Sequence, residues 1–247
     1  VLMDCMRDHY EGTKMDMTTD IGAGGEALPY RWRPMYWTVD GVEYCNERAT
    51  ATQQTGFWLV GQARPEKVGI LWFGTDDAAT SPLTPIYVNS QEVPECLKEG
   101  NGSMLKYSDT SMFWITNRVA QFAYLRYNII GKHVRAEVDK WENAMLELIK
   151  KIDINMANVG YKPKKVKKIA TEFSVNTAQT LFNGWVELDK YLMVKYIDGN
   201  VKGEDENGFI DNGNGLDIPG KIEQPGYSEH WKRAVAKDKG EILKVVK

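Results

Sequence analysis

The apolar residues of this chain change their spacing near residue 108. Between residues 30 and 90 they form short runs rich in aromatic and β-branched side chains, which is typical of strands. After residue 108 they recur every three or four residues, which indicates amphipathic helices. Strands followed by helices, rather than alternating with them, predict an α+β fold with strands mainly in 30–90 and helices mainly after 108.

The predicted strands begin with a hairpin. The runs "MYWTV" (35–39) and "VEYCN" (42–46) flank Asp40 and Gly41, a pair that favours a tight two-residue turn. Three further runs follow, namely "TGFWLVGQA" (55–63), "GILWFG" (69–74) and "TPIYVN" (84–89). Because these runs are nearly continuous in apolar character, we expect the strands to be covered on both faces.

Four helices are predicted in the second half of the chain. Their extents are 109–130, 134–152, about 174–196 and a stretch that starts near Ser228. Asp109 or Thr110 can cap the first helix and Ser174 the third, because short polar side chains satisfy the free N–H groups at a helix start. The basic stretch "KPKKVKKIA" (162–170) is interpreted as a solvated helix face rather than an anion site.

Composition argues against several classes of function. The net charge is -3, so no overall positive field attracts nucleic acid or anionic lipid. The sequence has no run of about 18 apolar residues, which argues against a membrane span. The three cysteines are far apart, so neither a disulfide framework nor a zinc site is predicted. We therefore expect no metal and no cofactor.

The stretch "RDHYEGT" (7–13) is rich in charged and titratable side chains. It is predicted to end a helix, with Gly12 at the terminus, because glycine tolerates the left-handed backbone found there. Asp8, His9 and Glu11 would then satisfy neighbouring groups. A direct proton-transfer role of His9 is a weaker interpretation, and a metal site is weaker still because no second cluster has matching spacing.

Polar residues are concentrated where the predicted strands end. The segments "YRWRP" (30–34), "NERATATQQTGF" (46–57) and "WFGTDDAATSPLTPIY" (72–87) each border an apolar run. Strand ends are where proteins often carry binding groups, although the same residues can simply cap strands. The candidate binding residues are Asn46, Arg48, Gln53, Gln54, Thr55, Asp76 and Asp77.

Nine motifs, taken in order, resemble one family. They are "MRDHYEGT", "YRWRP", "NERATATQQTGF", "WFGTDDAAT", "VPECLKEGNG", "SMFWITNRVAQFAYLRY", "FSVNTA", "YLMVKYIDGNVK" and "PGYSEHW". The set is similar to the C-terminal half of the PepD-type dipeptidases, most closely the form found in Bacteroides-type bacteria, with the secernins as more distant relatives. These are cysteine peptidases of the N-terminal-nucleophile hydrolase superfamily.

The resemblance implies an αββα sandwich, in which two antiparallel sheets stack face to face with helices outside. It also implies hydrolysis of dipeptides without a metal. A cysteine exposed by processing attacks the peptide carbonyl, its own α-amino group takes the thiol proton, and water releases the acyl group. In the family's pattern that cysteine belongs to the front half.

The chain is therefore expected to be the C-terminal portion, residues 1–247, of a single dipeptidase domain. It starts at Val1 in a helix-like pattern, and Cys5 lies where the family does not place its nucleophile. No catalytic residue is assigned, and the chain alone is predicted to be inactive and not to fold stably. The expected partner is the front half of the same protein, covalent or as a separate chain. A homo-oligomer also stays open.

A dipeptidase must recognise a free ammonium and a free carboxylate. Asp76 and Asp77 are candidates for binding the ammonium, and Arg48 or an arginine of "YRWRP" for binding the carboxylate. The other candidates are expected to line the pocket or to help an oxyanion site. They are Asn46, Gln53, Gln54 and Thr55.

Two other functions stay open at this point. An amidase of the penicillin-acylase or bile-salt-hydrolase kind would share the fold and the cysteine but would cut a side amide. A binding or structural module would pack its aromatic residues against a partner chain without catalysis. The resemblance favours the periplasm or the outside of a Bacteroides-type bacterium, whereas three unpaired cysteines fit a reducing cytoplasm.

Overall fold

The computed structural model describes residues 2–246. A three-stranded antiparallel sheet and two long helices form its centre, and two-stranded sheets precede and follow them along the chain. The strands are β1 (Tyr36–Val39), β2 (Val42–Cys45), β3 (Phe57–Gln62), β4 (Ile70–Thr75), β5 (Thr84–Tyr87), β6 (Val201–Lys202), β7 (Glu204–Asp205), β8 (Gly208–Phe209) and β9 (Ile222–Glu223).

The helices confirm the α+β prediction, since the long ones all follow residue 108. A π-helical turn at Tyr127–Gly131 joins the second helix to the third. The helices are α1 (Leu2–Cys5), α2 (Met112–Tyr124), α3 (Lys132–Asn158), α4 (Pro163–Tyr196) and α5 (Glu229–Lys239).

The predicted hairpin is present as β1 and β2. Trp37 pairs with Tyr44 across the two strands, and their rings stack with centroids 6.1 Å apart. The turn residues Asp40 and Gly41 both have positive φ, 50° and 77°, which is the backbone that a type I′ turn requires. All eight strand residues of this hairpin are exposed.

One face of the central β3–β4–β5 sheet packs on α3 and α4. Its buried side chains are Trp58, Ile70, Trp72 and Tyr87. The Tyr87 ring meets Phe173 of α4 edge-on at 5.3 Å, and its hydroxyl donates to Asp153 of α3 at 3.1 Å. The two helices and the sheet therefore share one core.

The opposite face of this sheet is open, so the expectation that both faces are covered is wrong for the described residues. Phe57 and Leu59 are 63% and 48% exposed, and the Phe57 ring stacks on Phe73 at 6.0 Å. The strands are apolar on both sides, as predicted, but α3 and α4 lie on only one side. An apolar sequence shows that a face needs cover and does not show where the cover comes from.

Two predicted helix starts are wrong. Ser111 is the N-cap of α2, in place of Asp109 or Thr110. Ser174 caps nothing, because α4 begins at Pro163 and the Ser174 side chain is buried in the middle of it. The Ser174 hydroxyl donates to Ala170 O at 2.7 Å and accepts from the backbone N–H of β5, so it joins helix to sheet.

The other predicted helices are present, although the first ends at Tyr124 and not at Ile130. Apolar side chains of α2, α3 and α4 form a second buried core, which includes Val119, Val134, Val138, Leu181 and Leu192. In the basic stretch 162–170, Val166 and Ala170 are buried while the lysines are exposed, which is a solvated helix face. Ser228 caps α5 by accepting a hydrogen bond from Trp231 N.

Candidate active site

Asp77 is the centre of a buried polar cluster just after β4. Its carboxylate accepts hydrogen bonds from the hydroxyls of Tyr30, at 2.8 Å, and of Tyr124. Thr80 donates through its hydroxyl at 2.7 Å and its N–H at 3.2 Å, and Ala79 N donates at 2.8 Å. A carboxylate has about four lone-pair positions. Asp77 is therefore saturated and has no capacity left to bind a ligand.

Tyrosine rings enclose this carboxylate. The Tyr30 ring lies edge-on to Tyr124 at 4.8 Å and to Tyr127 at 5.9 Å. Burial, and then the charge of Asp77, raise the pKa of Tyr30 and of Tyr124 well above 10. Both hydroxyls therefore stay protonated at neutral pH and can keep donating to Asp77.

Asp76 differs from its neighbour in having a free oxygen. It is 2% exposed, and its Oδ1 accepts a hydrogen bond from Asn117 Nδ2 at 3.3 Å, whereas Oδ2 has no partner. Its φ of 68° is in the left-handed region, which is costly for a residue other than glycine and tends to occur at functional sites. Burial, and then the adjacent Asp77 charge, raise the pKa of Asp76 well above its usual range.

His9 is held by Glu11 in the "RDHYEGT" loop. Glu11 accepts from His9 N at 2.8 Å and lies 3.1 Å from His9 Nδ1, while the buried Nε2 has no partner. The imidazole meets the edges of Tyr30 and Tyr127 at 5.3 and 6.2 Å. Contrary to the prediction, the helix ends at Cys5. The loop that follows forms turns, because its polar side chains make hydrogen bonds to the backbone of the loop itself.

Arg7 anchors this loop to the rest of the cluster. Its guanidinium donates to both carboxylate oxygens of Glu142 on α3, at 3.1 and 2.6 Å. It also donates to the carbonyls of Ala78 and Ser81, in the segment that follows Asp77. All four side-chain contacts are buried, so Arg7 fixes the position of the Asp76–Asp77 turn relative to α3.

Three other predicted candidates lie along one narrow cleft. Arg48, Gln53 and Gln54 line it together with Tyr30 and Arg31, but the space open to water in it is about 10 Å³. This is roughly the room needed for one water molecule. Tyr30 links the cleft to Asp77 through its hydroxyl, so the two groups of candidates share a boundary.

Asn46 and Thr55 are not brought into this cleft. The Asn46 N–H donates to Met35 O at 2.8 Å and extends the hairpin, and the Thr55 N–H closes a turn onto Thr52 O at 3.1 Å. The interpretation of these residues as strand-end and turn residues fits their backbone bonds. Their side chains make no hydrogen bond among residues 2–246.

Arg31, the first arginine of "YRWRP", is fully engaged. It is buried and binds both carboxylate oxygens of Asp20, at 2.7 and 2.6 Å, with Glu47 3.5 Å from its Nε. Arg48, in contrast, is exposed and makes no ion pair in the described part of the chain. Of these two, Arg48 is the arginine whose guanidinium can still donate hydrogen bonds to a substrate carboxylate.

A family model for peptidase family C69 matches residues 2–140, which is more than half of the 247 residues. The chain belongs to peptidase family C69. Family membership supports a cysteine-type peptidase, a hydrolase of peptide bonds. No curated protein matches this chain.

The C69 match spans the buried cluster, including His9, Tyr30, the two aspartates and Tyr124. Sequence reasoning selected the aspartates but missed the groups that organise them. The missed residues are Arg7, Tyr30, Asn117, Tyr124 and Glu142. The signal that was available is weak: Tyr30 is the first letter of "YRWRP", and Asn117 and Tyr124 are only two of several residues with polar groups in α2.

The three cysteines of this C69 chain differ in burial. Cys96 is buried, contacts Ala178 O at 3.8 Å and has its pKa raised to about 11, chiefly by burial. Cys5 and Cys45 are exposed, and no hydrogen bond joins a cysteine sulfur to a histidine between residues 2 and 246. A reactive cysteine needs a base or a positive environment that favours the thiolate.

Two further features concern cofactors and membranes. Within residues 2–246, no group of three or more His, Cys, Asp or Glu side chains is arranged to hold a metal ion. None of the helices in the described part of the chain combines the length and the apolar character that crossing a bilayer requires.

Proposed function

We propose that the protein is a C69 dipeptidase whose nucleophilic cysteine lies outside residues 1–247. The observation that carries the substrate class is Asp76, a buried carboxyl group with an unpaired oxygen at the end of β4. A dipeptidase must bind a free ammonium next to the scissile bond. A carboxylate that still lacks a donor is the group suited to that task.

Asp76 is the better candidate than Asp77 because only Asp76 has bonding capacity left. Asp77 is saturated by tyrosine, threonine and backbone donors, and its role is to position the turn that carries Asp76. The pKa of Asp76 is raised, so the empty site favours its protonated form. An arriving ammonium favours the ionised form, so substrate binding is expected to release a proton.

Arg48 is proposed to bind the carboxylate of the dipeptide. It is exposed and without an ion pair among the described residues, while Arg31 is occupied by Asp20. Gln53 and Gln54 lie in the same cleft as Arg48 and can donate from their amides. This assignment requires the cleft to open beyond its present size.

The open face of the central sheet supports a further segment of the same protein. Phe57 and Leu59 are exposed there, with Leu71 and Phe73 partly exposed beside them. A second sheet stacked on this face would bury them and complete an αββα sandwich. We propose that the front half supplies both this sheet and the cysteine, so that residues 1–247 alone do not hydrolyse dipeptides.

The proposed reaction runs through a thioester. The cysteine thiolate attacks the peptide carbonyl, the C–N bond breaks, and the leaving amine takes the proton that the α-amino group of the cysteine had removed from the thiol. Water then attacks the thioester carbonyl and restores the thiol. The two products are free amino acids.

Replacing Asp76 by asparagine in the full-length gene product is expected to raise KM for dipeptides about 10- to 100-fold, with a smaller effect on kcat. The reason is loss of a charge-assisted hydrogen bond, worth roughly 1.5–3 kcal/mol. In the wild type, KM should rise as the pH falls, because protonated Asp76 must lose its proton to bind the ammonium. Release of free amino acids, followed from pH 5 to 8, measures both effects.

Asp198→Asn is the matched control, since Asp198 also has positive φ, 60°, but is exposed and far along the chain. It should leave KM unchanged. A folded Asp76→Asn variant with wild-type KM would show that Asp76 only caps the end of the strand and does not bind substrate. Cleavage of N-acylated amino acids but not of dipeptides would instead establish the amidase alternative.

A further inference from the structure

A cavity of about 560 Å³ lies between the loop 11–27 and the start of α3. Small-molecule sites typically measure about 300–1,000 Å³. Neither Asp76 nor Arg48 lines this cavity, so it is separate from the groups proposed to bind the substrate. The π-helical turn Tyr127–Gly131 forms part of its wall, and such turns often occur at functional sites.

One wall of the cavity carries two cations, Lys132 and Arg135, together with the carboxylate of Asp139. Lys132 makes no ion pair among residues 2–246. The Arg135 guanidinium donates to Asp139 from Nε at 2.9 Å and to Asp4 from Nη2 at 3.2 Å, which leaves its Nη1 without a hydrogen bond in the described part of the chain. Lys132 and the Nη1 of Arg135 are therefore the groups of this wall that can donate to an anionic ligand group.

The opposite side carries two oxygen acceptors, of which Glu11 already accepts a hydrogen bond from His9 N at 2.8 Å. Asn128 Oδ1 is buried without a partner, although the Asn128 N–H is fixed by a bond to Glu26 O at 2.9 Å. The Glu11 carboxylate also lines the cavity and is about half exposed. A buried acceptor without a donor is unfavourable and rare in native proteins, so a ligand that donates to this oxygen after rotation of the amide would be favoured.

We propose that this cavity binds a free α-amino acid. The ligand carboxylate would lie against Lys132 and Arg135, and its ammonium would donate to Glu11 and, after rotation of the covered amide, to Asn128 Oδ1. The Tyr127 ring provides an apolar surface for the ligand side chain. The inference rests on the proposed function in one respect, since free amino acids are the products of dipeptide hydrolysis.

Calorimetric titration of the full-length protein, with its thiols alkylated, tests this site. L-leucine should bind, and N-acetyl-L-leucine and L-leucinamide should each bind at least about 10-fold more weakly, because each lacks one of the two charges. Lys132→Met should weaken L-leucine binding about 10- to 100-fold. The matched control is Lys140→Met, an exposed lysine two turns further along α3 that does not line the cavity.

Several outcomes would overturn the proposal. They are no L-leucine binding, equal binding of the three compounds, or equal binding by the two lysine variants. An increase in the KM for dipeptides in Lys132→Met, as large as the loss of L-leucine affinity, would also overturn it by making the cavity part of the substrate site. L-leucine binding that follows the expected pattern in a protein that cleaves no dipeptide would support the site and refute the proposed function.

Discussion

Replacing Arg7 by methionine in the full-length protein is expected to lower the free energy of unfolding by about 3–5 kcal/mol. Arg7 is buried and donates to both oxygens of Glu142, which joins the N-terminal loop to α3. Methionine can fill the space over the Trp58 ring, which the guanidinium carbon now faces at 4.8 Å. Methionine leaves the Glu142 carboxylate buried without a cation, and this unpaired charge accounts for most of the expected loss of stability. Urea denaturation at neutral pH measures the loss.

Two further variants separate the effect of an unpaired buried charge on stability from the effect of removing any arginine. Arg118→Met breaks a pair with Asp189, 2.7 Å long, in which the arginine is half exposed, and should cost about 1 kcal/mol or less. The double variant Arg7→Met with Glu142→Leu should recover part of the lost stability, because it removes the unpaired carboxylate. A loss in Arg7→Met no larger than in Arg118→Met would show that the Arg7–Glu142 pair does not hold this loop.

Replacing Leu59 by glutamine in the full-length protein is expected to cost about 2–3 kcal/mol of unfolding free energy. Leu59 is 48% exposed on the open face of the central sheet. If a second sheet covers that face, glutamine brings a polar amide into an apolar contact and loses the burial of leucine, worth roughly 1.5–3 kcal/mol. Thermal and urea denaturation of the two proteins give the difference.

Leu146→Gln is the matched control for this comparison. Leu146 is 44% exposed on α3, almost the same as Leu59, but no open apolar sheet face surrounds it. Its replacement should change stability by no more than about 0.5 kcal/mol, as for other surface sites. Equal, small effects of the two substitutions would mean that the sheet face meets solvent in the whole protein and that no second sheet covers it.

Sequence alone predicted most of the secondary structure, because the local signals were strong. The Asp40-Gly41 turn and the regular apolar spacing of α3 are confirmed. The start of α4 was missed, since its first half mixes lysines, threonines and a serine in a pattern that resembles a cap. Ser174 is polar for another reason, which is its bond to Tyr87 N, 87 positions earlier in the chain.

The candidate site was predictable only in part. Adjacent acids after a strand could be recognised, but Asp76 and Asp77 look equivalent in the sequence. They differ because Tyr30 and Tyr124, each 47 residues away, both donate to Asp77 and leave Asp76 with an unpaired oxygen. Arg7 likewise meets Glu142 across 135 residues. Contacts at such separations follow from the packing of whole elements, which local patterns do not specify.

Trapping the acyl-enzyme intermediate is the sharpest test of a nucleophilic cysteine outside residues 1–247. The full-length protein is mixed with a dipeptide, quenched in acid during turnover, and digested for mass spectrometry. We expect an aminoacyl thioester on a cysteine outside residues 1–247, together with dipeptide hydrolysis that thiol alkylation abolishes. An acyl group on Cys5, Cys45 or Cys96, or hydrolysis that survives alkylation of every thiol, would contradict this expectation.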